Sequence, residues 1–291
     1  MHTQLDVPAT AGAEPDDLVV EVSAATLDQL GACRVVASPR ARASELHALI
    51  VQLQRTHSDH TWRGFAPRDV AQIADELLAF ETARRPTRVL YYHAIVPGGG
   101  RELLGTGAVS PELRRGAPPG FAVISRCYLL ERFRGVRLYA PLLRHRVALA
   151  ELELGDRLRG IHFGSSNPRV VRAIQTAVLP VRFLHVGREH VTCCGERFTV
   201  HDFLALSARF RDALLRPPRP DAGCAELHAA LRALCRGELG ASTYRQLQRL
   251  ADAADLAAFP TAARDALAGL LAFLAAIPVV HEPEPDGACD V

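Results

Sequence analysis

The chain has 291 residues and a formal net charge of +2, with 48% hydrophobic and 23% charged residues. These are globular values, and the near balance of charge does not favour broad nucleic-acid binding. No stretch approaches the roughly 20 apolar residues of a membrane span, and the N-terminus lacks the basic and apolar regions of a secretory signal. We therefore expect a cytoplasmic protein without a membrane span.

The first half of the chain predicts two short strands, two helices and a hairpin. The strands are "LVVEVSA" and "CRVVAS", and apolar residues at helical spacing follow in "RASELHALIVQLQRTH" and "PRDVAQIADELLAFETA". Two β-prone runs joined by the glycine-rich turn "PGGG" then form a hairpin signal over residues 89–109.

The second half predicts alternating strands and helices. A strand, "FAVISRCYLL", enters the turn "ERFRG" and a long helix that stops at Gly155. Asn167 as N-cap and Pro168 at the first helical position predict the start of the next helix. The remaining elements are the strands "GIHFGSS", "VRFLHVG" and "EHVTCCGERFTV", the helix "HDFLALSARFRDALL", and three Ala/Leu-rich helices after "RPPRPDAG".

These elements predict an α/β (α+β) fold, with a mixed, mainly antiparallel central sheet covered by helices and a C-terminal helical appendix. The expected divisions are a disordered leader (residues 1–17), a mixed domain (18–216), the helical appendix (217–280) and a loose acidic tail (281–291).

The cysteines and histidines do not predict a metal site. Seven cysteines is an odd number and none has paired CxxC spacing, so we expect reduced, mostly structural thiols. The vicinal Cys193–Cys194 pair and the "HSDH" run at 57–60 carry metal-compatible side chains but lack a second pair of ligands.

The stretch "YLLERFRGVRLYAPLL" (residues 128–143) reads as strand, basic turn and helix. A helix start offers free backbone N–H groups and the positive end of the helix dipole, and a nearby glycine lets a phosphate approach the backbone. The three arginines of the turn add charge-assisted hydrogen bonds. The pattern favours a phosphate-bearing ligand, although a solvated surface turn explains an isolated segment of this kind equally well.

The same stretch resembles the acyl-donor loop of the GNAT superfamily of N-acetyltransferases, which follows an R-x-x-G-x-G/A pattern. Arg132 and Gly135 match the first two positions, and Arg137 stands at the third. "HFGSSNPRVVRAIQ", with Asn167, resembles the next strand and helix start of that superfamily, and residues 89–109 resemble its second and third strands.

The resemblance implies a GNAT-like domain that binds acyl-CoA or an acyl-phosphopantetheine as co-substrate, with the pantetheine arm along the strand edge at residues 127–130. The donor-binding residues it implies are Leu129, Leu130, Arg132, Arg134, Gly135, Val136, Arg137, Leu138, Tyr139 and Asn167.

Two departures from the superfamily concern catalysis. Val123 stands where a glutamate base is usual, and Ile174 stands where a tyrosine acid is frequent. As catalytic candidates we name Ser125 and Cys127, which strand alternation places on one face, and His162 on the following strand. Each of these side chains has core packing as its ordinary role. Trp62 and Phe65, on the expected acceptor side, are ordinary packing residues too.

"VISR" (residues 123–126) resembles the E-x-S-R motif of acyl-homoserine-lactone synthases and long-chain N-acyl amino acid synthases, with the glutamate lost. Those relatives commonly take the acyl group from an acyl carrier protein, whose single phosphate suits a loop with Arg137 in place of glycine. A carrier protein is therefore an alternative donor and partner.

The function expected from these resemblances is acyl transfer from a pantetheine thioester to a primary amine of a small molecule, amino acid or peptide. The acyl chain could be short or long. The alternatives are a non-catalytic GNAT-like module that binds acyl-CoA or a protein, and an interaction protein built on the C-terminal helices.

Overall fold

The computed structural model describes residues 14–56, 87–112, 116–176, 182–193, 196–220, 223–237 and 243–277. Several sequence predictions lie outside these residues or their described side chains: the helix at 67–83, the run at 57–60, Trp62, Phe65 and the Cys193–Cys194 pair. The chain divides into two compact units. The first contains the described residues up to Pro111 and Ala122–Leu158, and the second contains Glu112–Phe121 and the described residues from Arg159 onward.

The described residues of the first unit form five antiparallel strands and three helices. The strands pair in chain order, β1 with β2, β2 with β3, β3 with β4 and β4 with β5. Their bounds are β1 Leu18–Val20, β2 Arg34–Ser38, β3 Arg88–Ile95, β4 Arg101–Pro111 and β5 Phe121–Leu129; the helices are α1 Ala24–Leu30, α2 Ala43–Thr56 and α3 Tyr139–Leu154.

The predicted hairpin is formed by β3 and β4. The Val96 N–H donates to the carbonyl of Gly100 at 2.9 Å, and Gly98 and Gly99 between them have φ values of 88° and 84°. Only glycine adopts these angles without strain, which is why "PGGG" closes the turn.

Helix α1 was not predicted: "LVVEVSA" predicted a strand over residues 18–24, and residues 25–32 carried no predicted element. The structure ends that strand at Val20 and begins a helix after Ser23, whose side-chain oxygen accepts from the Thr26 N–H at 3.2 Å. Gly31, in the left-handed region at φ 59°, ends this helix. The Ser23 N-cap therefore marks the start of a helix that the apolar pattern alone did not indicate.

In the second unit, the part of the chain that the structure describes forms three antiparallel strands, in the order β6, β8, β7, and five helices. The strands are β6 Gly160–Ser165, β7 Leu184–Cys193 and β8 Glu196–Leu206; the helices are α4 Pro168–Thr176, α5 Ala208–Leu214, α6 Ala225–Arg236, α7 Thr243–Ala253 and α8 Thr261–Ala276.

Residues 201–206 are strand and not helix, which corrects one prediction. "HDFLAL" completes β8, and the helix begins only after Ser207, which accepts from the Phe210 N–H at 3.3 Å. A short apolar run fits a buried strand as well as a buried helix turn. Pairing with β6 and β7 decided this case.

The C-terminal helices share one hydrophobic core with the strands of the second unit. Phe121 stacks on Phe273 of α8 with ring centroids 4.2 Å apart, and Leu204 of β8 and Leu270 of α8 are fully buried in the same cluster. Burying a side chain of this size stabilises by about 1.5–3 kcal/mol. The helices of this region therefore contribute to the core of the second unit.

The predicted fold class is confirmed: strands and helices are mixed, every strand pair described within the two units is antiparallel, and the C-terminal region is helical. None of the helices described is both long enough and apolar enough to cross a membrane. The domain boundaries expected from the sequence stay predictions.

Candidate functional site

The turn between β5 and α3 is anchored at both ends and open in the middle. Leu130 and Leu138 are buried, as is Phe133 in the short 3-10 helix Glu131–Phe133. The exposed residues of the turn are Glu131, Arg132, Arg134, Gly135 and Arg137. We call residues 130–138 the β5–α3 loop; its buried leucines fix the two ends and leave a basic surface between them.

Two residues of the loop have left-handed backbone angles. Gly135 has φ 96°, and a Cβ atom there would meet nothing within 4 Å, so glycine is required for the angle and not for space. Arg137 has φ 49° and is the one non-glycine residue with a positive φ in the described part of the chain. A side chain at such an angle costs about 1–2 kcal/mol. The position at which the donor-loop pattern carries a glycine thus has a glycine-like backbone here.

Helix α3 begins directly after this loop, with an open N-terminus. Leu138 provides no side-chain cap, and the first turn carries no acidic residue. The first N–H groups of a helix have no acceptor within the helix, and Pro141 has no N–H to satisfy. The positive end of the helix dipole is therefore available to an anion.

The loop arginines differ in their contacts. Arg132 forms a 2.8 Å ion pair with Glu102, and Arg134 donates from Nε to the carbonyl of Leu129 at 3.4 Å. Arg137 is exposed. One arginine is thus partly neutralised, and the other two leave positive charge beside the helix start.

Gln52 of α2 fixes the start of the loop, which the sequence did not indicate. Its Nε2 donates to the carbonyl of Leu129 at 3.0 Å, and its Oε1 accepts from the backbone N–H of Glu131. A glutamine 77 residues away in the chain carries no sequence signal of such a role. The contact was therefore accessible only from the tertiary structure.

A β-bulge interrupts β5 at the predicted catalytic positions. Thr106 pairs with Tyr128 and Ala108 pairs with Ser125, so Arg126 and Cys127 together lie opposite the single residue Gly107. Bulges re-aim side chains and occur often beside active sites. Because the bulge breaks strict alternation, the predicted shared face of Ser125 and Cys127 does not follow from strand geometry.

Behind the bulge, α3 inserts a fully buried arginine. Arg146 is 0% exposed; its Nε donates to the carbonyl of Leu142 at 3.1 Å and its Nη1 donates to the carbonyl of Ser125 at 3.2 Å. Its Nη2 has no hydrogen-bond partner, and Arg146 has no carboxylate ion pair within the described residues. A buried charge without a carboxylate is unusual, because burial without a partner is costly.

Cys127 and two tyrosines surround this guanidinium. Burial lowers the pKa of Arg146, but its interactions with Cys127, Tyr92 and Tyr139 outweigh burial and raise that pKa. Burial raises the pKa of Tyr92 and of Tyr139, so both phenols are protonated at neutral pH. The Tyr139 hydroxyl, like Nη2, has no hydrogen-bond partner. We call Arg146, Cys127, Tyr92 and Tyr139 the arginine cluster.

His145 lies at the edge of the arginine cluster. Burial, together with Arg146 and Arg88, lowers its pKa to about 4. The imidazole is therefore neutral at neutral pH, and its Nδ1 lies 3.4 Å from the Tyr92 hydroxyl, which can donate to it.

His162, the third catalytic candidate, belongs to the second unit. Its Nε2 lies 2.7 Å from Asp202 Oδ1 and its Nδ1 lies 3.1 Å from Glu112 Oε2, and the residue is 1% exposed. Both ring nitrogens are thus held by carboxylates, as in a buried structural contact. A catalytic role for His162 stays a prediction.

Asn167 immediately precedes α4, which begins at Pro168 as predicted. Its carbonyl accepts from the Val171 N–H at 3.0 Å, and its own N–H donates to the Ser165 side chain at 3.1 Å. Asn167 thus occupies the N-cap position. The predicted contact with a pantetheine arm stays a prediction.

No group of three or more His, Cys, Asp or Glu side chains within the described ranges is arranged to hold a metal ion. No disulfide bond joins the described cysteines Cys33, Cys127, Cys224 and Cys235.

Comparison with known proteins gives structural neighbours only. No protein-family model and no curated protein sequence matches the chain. Among solved structures, spermidine N-acetyltransferase from Vibrio cholerae, in complex with CoA and spermine, is 13% identical with a TM-score of 0.45 and covers 59% of this chain and 95% of its own. The Microcin C7 self-immunity acetyltransferase MccE, in complex with acetyl-CoA and AMP, is 12% identical (TM-score 0.45; 61% and 94% covered).

The ribosomal L7/L12 α-N-protein acetyltransferase RimL, in complex with coenzyme A, is a third neighbour, at 12% identity and a TM-score of 0.45, covering 65% of this chain and 98% of its own. These neighbours are acetyltransferases, the class that the sequence motifs resemble. Because their TM-scores lie below 0.5, no activity or ligand is transferred from them to this chain.

Proposed function

We propose that this chain is an N-acyltransferase of the GNAT type, which moves an acyl group from a pantetheine thioester to a primary amine. The observation that carries the proposal is the β5–α3 loop: left-handed angles at Gly135 and Arg137 lead into the uncapped start of α3, beside two exposed arginines. Free N–H groups, the helix dipole and exposed guanidinium groups are the three features that bind phosphate.

Acyl transfer at this site needs no chemistry beyond that of the side chains and backbone. The neutral amine attacks the thioester carbonyl, a backbone N–H of β5 near Leu129 stabilises the oxyanion, and Ser125, Cys127 or water takes the proton from the ammonium. Much of the rate comes from holding amine and thioester together. The acceptor is a small molecule, an amino acid or a peptide amine.

The donor phosphate contact can be tested by charge reversal. Arg134→Glu should weaken CoA binding by about tenfold or more, because a hydrogen bond to a charged group contributes about 1.5–3 kcal/mol. The control is Arg144→Glu, which reverses an equally exposed arginine on α3 outside the loop. Calorimetry with CoA and with pantetheine, which lacks phosphate, separates loss of a phosphate contact from a general loss of binding. Only the affinity of the Arg134 variant for CoA should fall. Equal loss in both variants would refute the loop assignment.

We further propose that an acyl carrier protein is at least as good a donor as the matching acyl-CoA. Arg137 adds bulk and charge where a diphosphate loop keeps a small residue, and exposed Arg134 and Arg137 present positive charge to an acidic carrier. Exposed charge contacts are screened over about 8 Å at physiological salt. kcat/KM for the carrier should therefore fall more steeply with ionic strength than kcat/KM for a short acyl-CoA. Turnover with acyl-CoA and none with any acylated carrier would refute this donor preference.

The second candidate is a non-catalytic module that binds acyl-CoA or a partner protein. It is favoured by Val123 and by the buried Ile174, which occupy positions where a base and an acid are usual in the resembled superfamily. Titration with acyl-CoA and with acylated carrier in the presence of amines separates the two candidates. Saturable binding without release of the donor thiol supports the module, and thiol release that depends on the amine supports the enzyme.

A further inference from the structure

The arginine cluster holds two hydrogen-bond donors that lack acceptors, next to a thiol. Arg146 is fully buried, its Nη2 has no partner, and its two other donor contacts go to neutral backbone carbonyls. The Tyr139 hydroxyl is also buried and without a partner. Arg146 lies seven residues after Tyr139 on α3, two turns along one helix face. Cys127 lies close enough to both donors to act on them electrostatically.

The backbone of β4 and β5 leaves room for this cluster. A Cβ atom on Gly107 would lie 2.8 Å from Arg146 Cδ and 3.2 Å from the Tyr92 hydroxyl, so the missing side chain on β4 admits both groups. The bulge of β5 lies opposite this glycine and carries Cys127, which is half-buried. Burial keeps both phenols protonated, so the thiol is the remaining nucleophilic side chain of the cluster.

We propose that Cys127 is a nucleophile that accepts the acyl group from the donor thioester, with Arg146 Nη2 and the Tyr139 hydroxyl as donors to the oxyanion. A thiol beside a buried cation is a known environment for a reactive cysteine. A nucleophile with two unsatisfied donors close by is the arrangement of an acyl-transfer site. The proposal rests on the proposed function and replaces the direct attack of the amine on the donor thioester with two successive acyl transfers, first to Cys127 and then to the amine.

The step is a thiol–thioester exchange that balances without another reactant. The Cys127 thiolate attacks the thioester carbonyl carbon and forms a new carbon–sulfur bond. The bond to the pantetheine sulfur breaks, and that sulfur takes up the proton that the Cys127 thiol gave up. The amine then attacks the acyl-cysteine, loses a proton and leaves with the acyl group, which restores the thiol.

The experiment incubates the full chain with acetyl-CoA in the absence of amine and measures released CoA and the intact protein mass. We expect one acetyl group per chain, removable by hydroxylamine and located on Cys127 by peptide mapping. Cys127→Ser should lose the label, whereas Cys33→Ser, the same change at an exposed thiol, should keep it. Tyr139→Phe keeps the ring and removes only the hydroxyl; it should slow labelling by about tenfold or more.

The outcomes distinguish this proposal from the proposed function. Amine acetylation at an unchanged rate in Cys127→Ser overturns the covalent step and leaves the N-acyltransferase intact. Acetyl-Cys127 that no amine in a broad panel can discharge supports the nucleophile and overturns the amine transferase. Label on another cysteine, with Cys127 unmodified, overturns the proposal, and the absence of both label and transfer overturns both.

Discussion

A Cβ atom built on Gly107 would lie 2.8 Å from the Cδ atom of Arg146. Strand β4 thus carries a glycine at the point where α3 buries its arginine. The two residues are 39 positions apart in the sequence. The glycine leaves room for the buried arginine side chain, and the arginine side chain fills the space that the glycine leaves.

Gly107→Ala should destabilise the fold by about 1–3 kcal/mol, because the added methyl group overpacks the buried arginine and Tyr92. The control is Gly164→Ala, whose Cβ would meet a Val200 side-chain carbon at 3.2 Å and Asp202 Oδ1 at 3.5 Å, contacts within reach of small adjustments. Urea unfolding of both variants measures the difference. A loss no larger at Gly107 than at Gly164 would show that Arg146 moves aside freely.

Gly135→Val should weaken donor binding beyond its effect on stability. Gly98 offers a matched control, since Gly98 and Gly135 have φ values of 88° and 96° and open space around the missing Cβ. Valine at either site should cost about 1–3 kcal/mol of stability. Calorimetry with CoA should show lost affinity for the Gly135 variant alone; unchanged affinity there would exclude the β5–α3 loop as the phosphate site.

Arg137→Gly should relieve the left-handed strain at φ 49°. The gain from relief, about 1–2 kcal/mol, is partly offset by the greater chain entropy of glycine in the unfolded state, about 0.4–1 kcal/mol. A net stabilisation below about 2 kcal/mol is therefore expected, together with weaker carrier-protein binding because a positive charge is lost. Arg134→Ala removes an equal charge at an ordinary φ of −71° and is the control. Equal thermal stability changes in the two variants would argue against strain at Arg137.

Stability should fall with acidification between about pH 6.5 and pH 4, in part because of His145. Its pKa is about 4 in the folded chain, below the ordinary histidine value of 6.5. Between these values the unfolded chain binds the proton and the folded chain does not, so stability is present above pH 6.5 and is lost as pH falls. The slope for one such group is at most about 1.4 kcal/mol per pH unit.

The check is His145→Gln, which retains an acceptor for the Tyr92 hydroxyl but does not titrate. Its urea-unfolding profile should be flatter over this pH range than that of the unmodified chain. It should not become flat, because His93, His185 and His201 also have lowered pKa values, mainly through burial. Superimposable profiles would assign the acid sensitivity to those other histidines.

The sequence by itself determined the local elements that carry the candidate donor site. The "PGGG" turn predicted a hairpin. Residue propensities, together with the glycines and prolines that end helices and strands, predicted the order of strand, glycine-containing basic turn and helix between residues 121 and 154. Pro168 fixed the start of α4 in the same way, because a proline is tolerated only in the first turn of a helix. These signals lie within a few residues of the structure they specify.

The tertiary structure decided what those elements enclose. Nothing in the sequence marked Arg146 as a residue that would be fully buried, or Gln52 as a contact of Leu129, 77 residues later in the chain. Whether "HDFLAL" became strand or helix depended on its β-sheet partners. Burial, strand pairing and side-chain charge interactions depend on residues far apart in the chain, so no short window of sequence predicts them. The physical cause is that distant segments exclude water from one another only after the chain has folded.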